Sequence, residues 1–298
     1  MTTNITAAAA GSWLLGGDLP VHRIGYGTMR LPAWPAGNQP DREQALAVLR
    51  RAVELGVNHI DTAAFYARDG VSANELIKAA LHPYPAGLVL VTKVGPRFGP
   101  DGAVESGLSL DQLRAAVETN LTELGVDRLD LVNLRVGGLE PTEQPIGAAF
   151  EALATLRAEG LIRHLGISNV AEAQLDEALA IAPVASVQNM FNIEQRADSA
   201  LVDRCAAEGI SYVPYFPVGG FQLVNDPALA AVAARHGVTP PQVALAWLLA
   251  RSPSILLIAG TSSVTHLEEN VAAGGLTLTE TDLTELDSVR SAQSDAVG

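Results

Sequence analysis

Residues 41–62, DREQALAVLRRAVELGVNHIDT, combine a capped helix with a short apolar strand. Asp41 is a typical N-cap residue, and Gly56 is a typical residue at which a helix ends. The apolar run that follows, Val57–Thr62, has the length of a buried strand. A helix joined to a strand by so short a connection is typical of α/β folds with a parallel sheet.

The same alternation of strand and helix continues along the chain. The eight predicted strands are Arg23–Gly27, Val57–Thr62, Leu88–Val94, Leu129–Val136, Arg163–Ser168, Ser186–Asn189, Ser211–Pro214 and Ile255–Ala259. Because segments with helical periodicity separate them, we predict an α/β fold, a (β/α)8 TIM barrel, as a single domain over residues 1–298. An open doubly wound sheet is the alternative, although no glycine-rich dinucleotide-binding turn follows a strand.

A hairpin is predicted ahead of the first barrel strand. Residues 12–27, SWLLGGDLPVHRIGYG, contain two apolar runs separated by a turn at Gly16, Gly17 and Asp18. Such a pattern is typical of a β-hairpin. We expect this N-terminal β-hairpin to cap the bottom of the barrel.

The composition limits the classes of partner. The 298 residues carry a formal net charge of −14, and no run of Lys and Arg interrupts this acidic character. Nucleic acids and anionic membranes are therefore not expected as partners. No apolar run approaches the roughly 20 residues of a membrane span, and the N-terminus lacks the pattern of a signal peptide. We expect a cytoplasmic protein, and the sequence leaves its oligomeric state open.

Four residues at or just beyond predicted strand ends suggest a reduction site: Asp61, Tyr66, Lys93 and Arg135. In an α/β barrel the active site lies at the C-terminal ends of the strands. A phenol has a pKa near 10, so proton exchange at neutral pH needs nearby cations. Lys93 and Arg135 would supply positive charge, and Asp61 would keep a buried Lys93 protonated. The structural alternatives are a packed aromatic, a surface lysine and a turn-capping aspartate.

The motifs around these residues resemble those of the aldo-keto reductase family over nearly the whole chain. Asp61 and Tyr66 match the family's aspartate and tyrosine five residues apart, and Lys93 in VTKVG matches its third-strand lysine. The segments GISN, SVQNMFN, YVPYFPVGGF and AGTSSVTHLEEN match further motifs in the family's order. The resemblance implies a TIM barrel that reduces an aldehyde or ketone with NADPH, or alternatively with NADH. The hydride would come from the nicotinamide and the proton from Tyr66.

The same resemblance implies which residues bind the cofactor. Ser168, Asn169 and Gln188 would hold the nicotinamide carboxamide, and Tyr215 would stack on the nicotinamide ring. The loop after strand seven would wrap the pyrophosphate, and the segment after strand eight would hold the adenosine end. The implied positions are Gly27, Thr28, Met29, Asp61, Ser168, Asn169, Gln188, Tyr215, Phe216, Pro217, Val218, Gly219, Gly220, Gly260, Thr261, Ser262, Ser263, His266, Glu269 and Asn270.

Arg135 departs from the family pattern. Most members have a histidine where the fourth-strand run DLVNLRV offers Arg135, and NLR is associated with pyridoxal-type reductases. Arginine stays charged, so it cannot act as a neutral histidine does, but it can donate two hydrogen bonds to an oxygen. The structural alternative is an ion pair at the barrel rim with Glu140 or Asp130. Trp34 is expected either in the substrate pocket or packed on the surface.

No histidine is expected to replace the missing one. His59 and His164 are predicted to point into the barrel, where a core role is favoured. No pair of histidines has the spacing of metal ligands, so no metal is expected.

The predicted function is NADPH-dependent reduction of an aldehyde or ketone, with pyridoxal or another small polar carbonyl as a candidate substrate. One alternative is a barrel that binds NADP(H) and senses its redox state with little turnover. Another is an alcohol or sugar dehydrogenase that works in the oxidative direction with NAD. The adenosine segment lacks the Lys or Arg that NADPH-preferring members often place against the 2′-phosphate. NADPH is therefore preferred on the resemblance alone, and the sequence does not identify the physiological substrate.

Overall fold

The structure, a computed structural model, describes residues 5–32, 41–98, 104–106, 108–137, 142, 144–220 and 223–289. Its strands are β1 (Ser12–Leu15), β2 (Leu19–His22), β3 (Tyr26–Gly27), β4 (His59–Asp61), β5 (Ala67–Arg68), β6 (Val71–Ser72), β7 (Val89–Val94), β8 (Pro96–Phe98), β9 (Val104–Ser106), β10 (Leu129–Arg135), β11 (Ile162–Ser168), β12 (Val184–Gln188) and β13 (Ser211–Tyr212). Its α-helices are α1 (Arg42–Glu54), α2 (Ala73–Leu81), α3 (Leu110–Leu124), α4 (Gly147–Ala158), α5 (Glu172–Leu179), α6 (Ser199–Glu208), α7 (Pro227–His236), α8 (Pro240–Arg251), α9 (Val264–Ala272) and α10 (Glu280–Asp287).

Parallel strands form a closed barrel. Seven of them pair in the order β13-β12-β11-β10-β7-β4-β3. The segment after α8 closes the ring, because Ile255 bridges to Tyr212 on one side and Leu257 bridges to Ile24 on the other. The predicted TIM barrel is confirmed. The eighth predicted strand, Ile255–Ala259, lies at the predicted place between its two neighbours, but it pairs with each of them through a single bridge and not through a continuous ladder.

Typical capping residues mark several helix ends, and the predicted cap at Asp41 is among them. Asp41 caps α1 by accepting a hydrogen bond from the amide of Glu43 at 3.1 Å. Helix α3 ends at Gly125, whose left-handed backbone (φ 70°) suits glycine. Thr239 forms a capping box with Gln242 at the start of α8. These local signals set where α1 and α8 begin and where α3 ends on the outside of the barrel.

The predicted hairpin closes the N-terminal end of the barrel. Strands β1 and β2 pair antiparallel, with Leu15 opposite Leu19. Leu15, Leu19 and Val21 pack into the barrel interior, in one apolar cluster with residues of the barrel strands such as Val89 and Leu131. Burial of this apolar surface fastens the hairpin to the barrel. Access to the interior is therefore left to the opposite end.

Within the ranges that the structure describes, no helix combines the length and the apolar character that crossing a membrane requires.

Candidate active site

A buried ion pair lies at the C-terminal end of the barrel. Lys93 Nζ donates to Asp61 Oδ1 at 2.5 Å and to the carbonyl oxygen of Thr62 at 3.2 Å. The two charged residues are each 3% exposed. Burial alone would lower the pKa of Lys93, but the attraction of Asp61 and Tyr66 outweighs it and raises the pKa. Lys93 is therefore a fixed cation inside the barrel mouth.

Tyr66 lies next to this cation. It belongs to the loop between β4 and β5, where its amide donates to the carbonyl of Ala63 and its carbonyl accepts from the amide of Ala73. Lys93 Nζ lies 4.9 Å from the centre of the Tyr66 ring, and Phe65 packs against the ring edge-on. A phenol and an ammonium group thus share one wall of the cleft.

Gln188 completes the floor of the cleft. Its Nε2 donates to Asp61 Oδ2 at 2.9 Å, so both carboxylate oxygens of Asp61 accept hydrogen bonds. The Oε1 atom of Gln188 is buried and has no hydrogen-bond partner among the described residues. A buried acceptor of this kind is suited to a ligand with an N–H group, such as a carboxamide.

Arg135 faces the cleft. It ends β10 beside Ser168, and its Nη1 donates to Ser168 Oγ at 3.2 Å. The guanidinium also lies over the ring of Tyr215, 4.9 Å from the ring centre. Of the two alternative ion-pair partners, Asp130 accepts a hydrogen bond from the amide of Leu90, and Glu140 lies outside the described residues.

Asn169 supports Tyr215. The Tyr215 hydroxyl donates to Asn169 Oδ1 at 2.9 Å, and Asn169 Nδ2 donates to the carbonyl of Val136 at 3.0 Å. The backbone of Asn169 has a positive φ of 62°, a conformation that asparagine tolerates better than most residues. These two hydrogen bonds hold the Tyr215 ring in place.

These groups surround a cleft of about 440 Å³, a volume typical of small-molecule and cofactor sites. The predicted site residues that line it are Gly27, Met29, Asp61, Tyr66, Lys93, Arg135, Gln188, Tyr215, Phe216, Pro217, Val218, Gly220, Gly260 and Asn270. The predicted residues that are not among its lining are Thr28, Ser168, Asn169, Gly219, Thr261, Ser262, Ser263, His266 and Glu269. Thr28 instead donates through Oγ1 to the carbonyl of Asp61, beneath the wall. Trp34 lies outside the described residues.

Several lining residues were not predicted. They include Arg30, Phe65, Arg68 and Gly137. Phe65 and Arg68 flank Tyr66 in sequence, and Arg30 directly follows the turn at Met29. Their positions beside predicted site residues were the available signal.

The predicted adenosine segment begins a helix. Ser263 caps α9 by accepting from the amide of His266, and the amide of Ser263 donates to Thr261 Oγ1. The carbonyl of Thr261 accepts from the buried Tyr26 hydroxyl at 2.5 Å. This hydrogen bond anchors the segment to β3. Two of its residues, Gly260 at its start and Asn270 near the end of α9, line the cleft.

The described histidines lie away from the cleft wall. His59 is buried deeper in the barrel, and burial lowers its pKa to about 4, so the ring is neutral at physiological pH. His164 contacts Asp18 of the hairpin at the other end. Among the residues that the structure describes, no group of three His, Cys, Asp or Glu side chains could hold a metal ion.

Comparison with known proteins agrees with this geometry. A model of the Aldo/keto reductase family matches residues 23–291. The chain belongs to the aldo/keto reductase family. It is 49% identical to pyridoxine 4-dehydrogenase of Escherichia coli (strain K12), over 92% of this chain and 96% of that protein. The family resemblance found in the sequence is confirmed, and the protein is an oxidoreductase.

Solved structures of the family share the fold. A thermostable aldo-keto reductase in complex with the inhibitor epalrestat matches with a TM-score of 0.80 and 30% identity, over 93% of this chain and 98% of that chain. An aldo/keto reductase from Klebsiella pneumoniae in complex with NADP and acetate matches with a TM-score of 0.76 and 27% identity, over 93% of this chain and 94% of that chain.

Proposed function

We propose that this enzyme reduces small polar aldehydes with NADPH in a reversible reaction, and that pyridoxal and pyridoxine are one of its substrate pairs. The observation that carries the proposal is the buried Lys93–Asp61 pair with Tyr66 beside it in the cleft. A proton donor next to a fixed cation is what a carbonyl oxygen needs as it gains negative charge.

The residues at the cleft fit a nicotinamide cofactor. The unpartnered Oε1 of Gln188 can accept from a carboxamide N–H, and Tyr215 offers an aromatic ring in the same cleft. Ser168 and Asn169 would complete the amide site, and Phe216–Gly220 would form the pyrophosphate loop. When bound, the reduced nicotinamide supplies the hydride that adds to the carbonyl carbon. The NADP bound in the Klebsiella pneumoniae structure supports this choice of cofactor.

The protein's own residues supply the proton and the positive charge that stabilises the reaction. As the carbon–hydrogen bond forms and the C=O π bond opens, the Tyr66 hydroxyl gives its proton to the oxygen, which yields an alcohol and oxidised cofactor. Lys93 stabilises the negative charge left on Tyr66, and Asp61 keeps Lys93 charged. Arg135 donates hydrogen bonds to the substrate oxygen or to an anionic substituent. Tyr66 regains a proton from solvent before the next turnover.

The charge of the cleft supports a polar, electron-rich substrate. Arg30, Arg68, Lys93 and Arg135 line the cleft, whereas Asp61 is the acidic residue among its described lining. In a protein with a net charge of −14, this local excess of cations attracts phosphates and other anionic groups. Pyridoxal has a phenolic oxygen beside its aldehyde, and the Escherichia coli relative is a pyridoxine 4-dehydrogenase.

Cofactor preference is expected to favour NADPH over NADH. The N-terminus of α9, with Ser262 and Ser263 before it, offers backbone amides and the positive end of a helix dipole to a 2′-phosphate. Thr261, His266 and Glu269 belong to the same segment and would contact the adenosine end. Comparing KM for the two cofactors tests this preference, and equal values would contradict it.

Oxidation of NADPH, followed at the absorbance of the reduced cofactor, tests the reaction. The aldehydes to compare are pyridoxal, methylglyoxal and 4-nitrobenzaldehyde, with pyridoxine and NADP⁺ for the reverse direction. We expect turnover well above a blank without enzyme, with a higher kcat/KM for pyridoxal than for the uncharged aromatic aldehyde. Binding of NADPH without turnover of any aldehyde would favour the redox-sensing alternative.

A further inference from the structure

A chain of buried polar side chains lies on the outer side of the barrel wall, directly behind the candidate active site. Its four members, Thr62, Asn74, Thr92 and Asn120, are fully buried. Thr62 directly follows Asp61 at the end of β4. Thr92 directly precedes Lys93 on the neighbouring strand β7. Side chains alternate across a strand, so these threonines point towards the helices while Asp61 and Lys93 point into the barrel.

The hydrogen bonds of this chain are continuous. Thr62 Oγ1 donates to Asn74 Oδ1 at 2.7 Å, and Asn74 Nδ2 donates to Asn120 Oδ1 at 3.0 Å. Thr92 Oγ1 donates to the same Asn120 oxygen at 2.6 Å. These hydrogen bonds therefore connect the end of β4 to β7 through one residue of α2 and one residue of α3.

Asn74 also closes the loop that carries Tyr66. The loop leaves the barrel after Thr62 and returns at Ala73, whose amide donates to the Tyr66 carbonyl at 2.9 Å. The Thr62–Asn74 hydrogen bond joins the two ends of this loop. The carbonyl of Thr62 accepts from Lys93 Nζ, so one residue contacts both the lysine and Asn74.

We propose that Asn74 is a positioning residue for the reaction, acting through Thr62 on the Tyr66 loop and on Lys93. The inference rests on the proposed function, because it assigns a purpose to holding Tyr66 and Lys93 together. Buried polar chains lock a geometry only when every member is bonded, as here, and apolar side chains of similar size would fill the same space without fixing it. A displacement of about 1 Å at a reacting group costs on the order of 100-fold in rate.

The test compares variants at the two ends of one strand. Asn74→Ala removes the link behind the site, together with the hydrogen bond that Asn74 Nδ2 donates to Glu123 Oε2 at 2.9 Å. Asn58→Ala removes two side-chain hydrogen bonds at the other end of β4. There Asn58 accepts from the amide of His22 at 2.8 Å and donates to the carbonyl of Pro20 at 3.0 Å. Both variants are expected to lower the melting temperature.

Asn74→Ala is expected to lower kcat for pyridoxal about 10- to 100-fold, with KM and the NADPH Kd changed less than about threefold. Asn58→Ala is expected to keep the wild-type kcat. A kcat for Asn74→Ala within twofold of wild type would overturn the inference, as would equal losses in both variants.

A second pair of variants keeps the test valid if Asn74→Ala does not fold. Thr62→Val has nearly the same shape but no hydroxyl, and Thr62→Ser keeps the hydroxyl. We expect Thr62→Val to lose kcat and Thr62→Ser to retain most of it. Equal activity in these two variants would overturn the inference. Absence of aldehyde reduction by the wild-type enzyme is a different result, which would overturn the proposed function and this inference with it.

Discussion

Each end of the barrel contains an acidic residue that pairs with basic side chains, but the pair is buried at one end and exposed to solvent at the other. At the C-terminal end, Asp61 and Lys93 are each 3% exposed and meet beneath the cleft. At the N-terminal end, Asp18 of the hairpin accepts from Arg163 and His164, and its side chain is 49% exposed. Since water screens the second group and not the first, similar ion pairs differ in strength and in purpose.

The difference shows how burial assigns roles in this molecule. A buried charge is costly to isolate, so Lys93 and Asp61 depend on each other and hold a fixed field at the site. The exposed group at the hairpin contributes little energy, because apolar packing of Leu15, Leu19 and Val21 already holds the hairpin in place. We therefore expect substitutions at the first end to change activity, and substitutions at the second to leave it unchanged.

Tyr66→Phe is expected to have the largest effect on turnover. Loss of the proton donor should lower kcat by about 10²- to 10⁴-fold, with the NADPH Kd and the melting temperature nearly unchanged. Tyr84→Phe is the matched control, since the Tyr84 hydroxyl donates to the carbonyl of Leu124 away from the cleft. Steady-state kinetics of both variants check this, and wild-type kcat in Tyr66→Phe would contradict the assignment.

Lys93→Met is expected to lower both activity and stability. It leaves the Asp61 carboxylate buried without its cation, which should lower the free energy of unfolding by about 3–5 kcal/mol and kcat by about 10²- to 10³-fold. Arg163→Met breaks the exposed pair at the other end and should change the melting temperature only slightly. Denaturant unfolding measures both variants. Equal destabilisation would show that burial does not separate the two ends.

Arg135→His is expected to change the pH dependence of the reaction. Arginine stays charged throughout the working range, so the wild-type profile of kcat/KM should have no limb from a residue at this position. The variant should gain a limb near pH 6.5, the ordinary range of a histidine, with a reduction in kcat of about tenfold. Rate measurements across pH 5–9 check this, and identical profiles would place Arg135 outside the reaction.

Asp18→Asn is expected to have the smallest effect. Hydrogen bonds from Arg163, with help from His164, lower the pKa of Asp18, so its ionised form stabilises the fold. That contribution is present at neutral pH and is lost as the pH falls through the lowered pKa of the folded state. The variant should melt about 1–3 °C lower at pH 7, with a smaller difference below about pH 4 and unchanged kcat. Thermal melts at both pH values check this.

Much of the fold could be predicted because its signals are local. Asp41, Gly125 and Thr239 mark helix ends through hydrogen bonds and backbone angles within a few residues. The position of the eighth strand was predicted, but its pairing through single bridges at Ile255 and Leu257 was not, because that pairing depends on Tyr212 and Ile24, which are distant in sequence. A helix cap depends on residues that are close in sequence, whereas the pairing of a strand depends on residues that are far apart in sequence.

The candidate site divides in the same way. Asp61, Lys93 and Arg135 were located by their positions at strand ends, which in a barrel share one rim, and Gln188 was located by the family resemblance. The hydrogen bond from Gln188 to Asp61 and the packing of Arg135 on Tyr215 were not predicted. Each joins side chains from different strands, and their rotamers are set by packing that no local pattern records.

The sequence by itself determined the order of strands and helices, the family and the set of polar residues at one rim, because periodicity, caps and motif spacing act over short stretches of chain. Only the tertiary structure decided which of those residues touch. It buried the Lys93–Asp61 pair, turned Arg135 onto Tyr215, and joined Thr62 to Asn74 behind the site. The physical reason is that the strength of an ion pair or hydrogen bond depends on distance and burial, and both exist only once the barrel has closed.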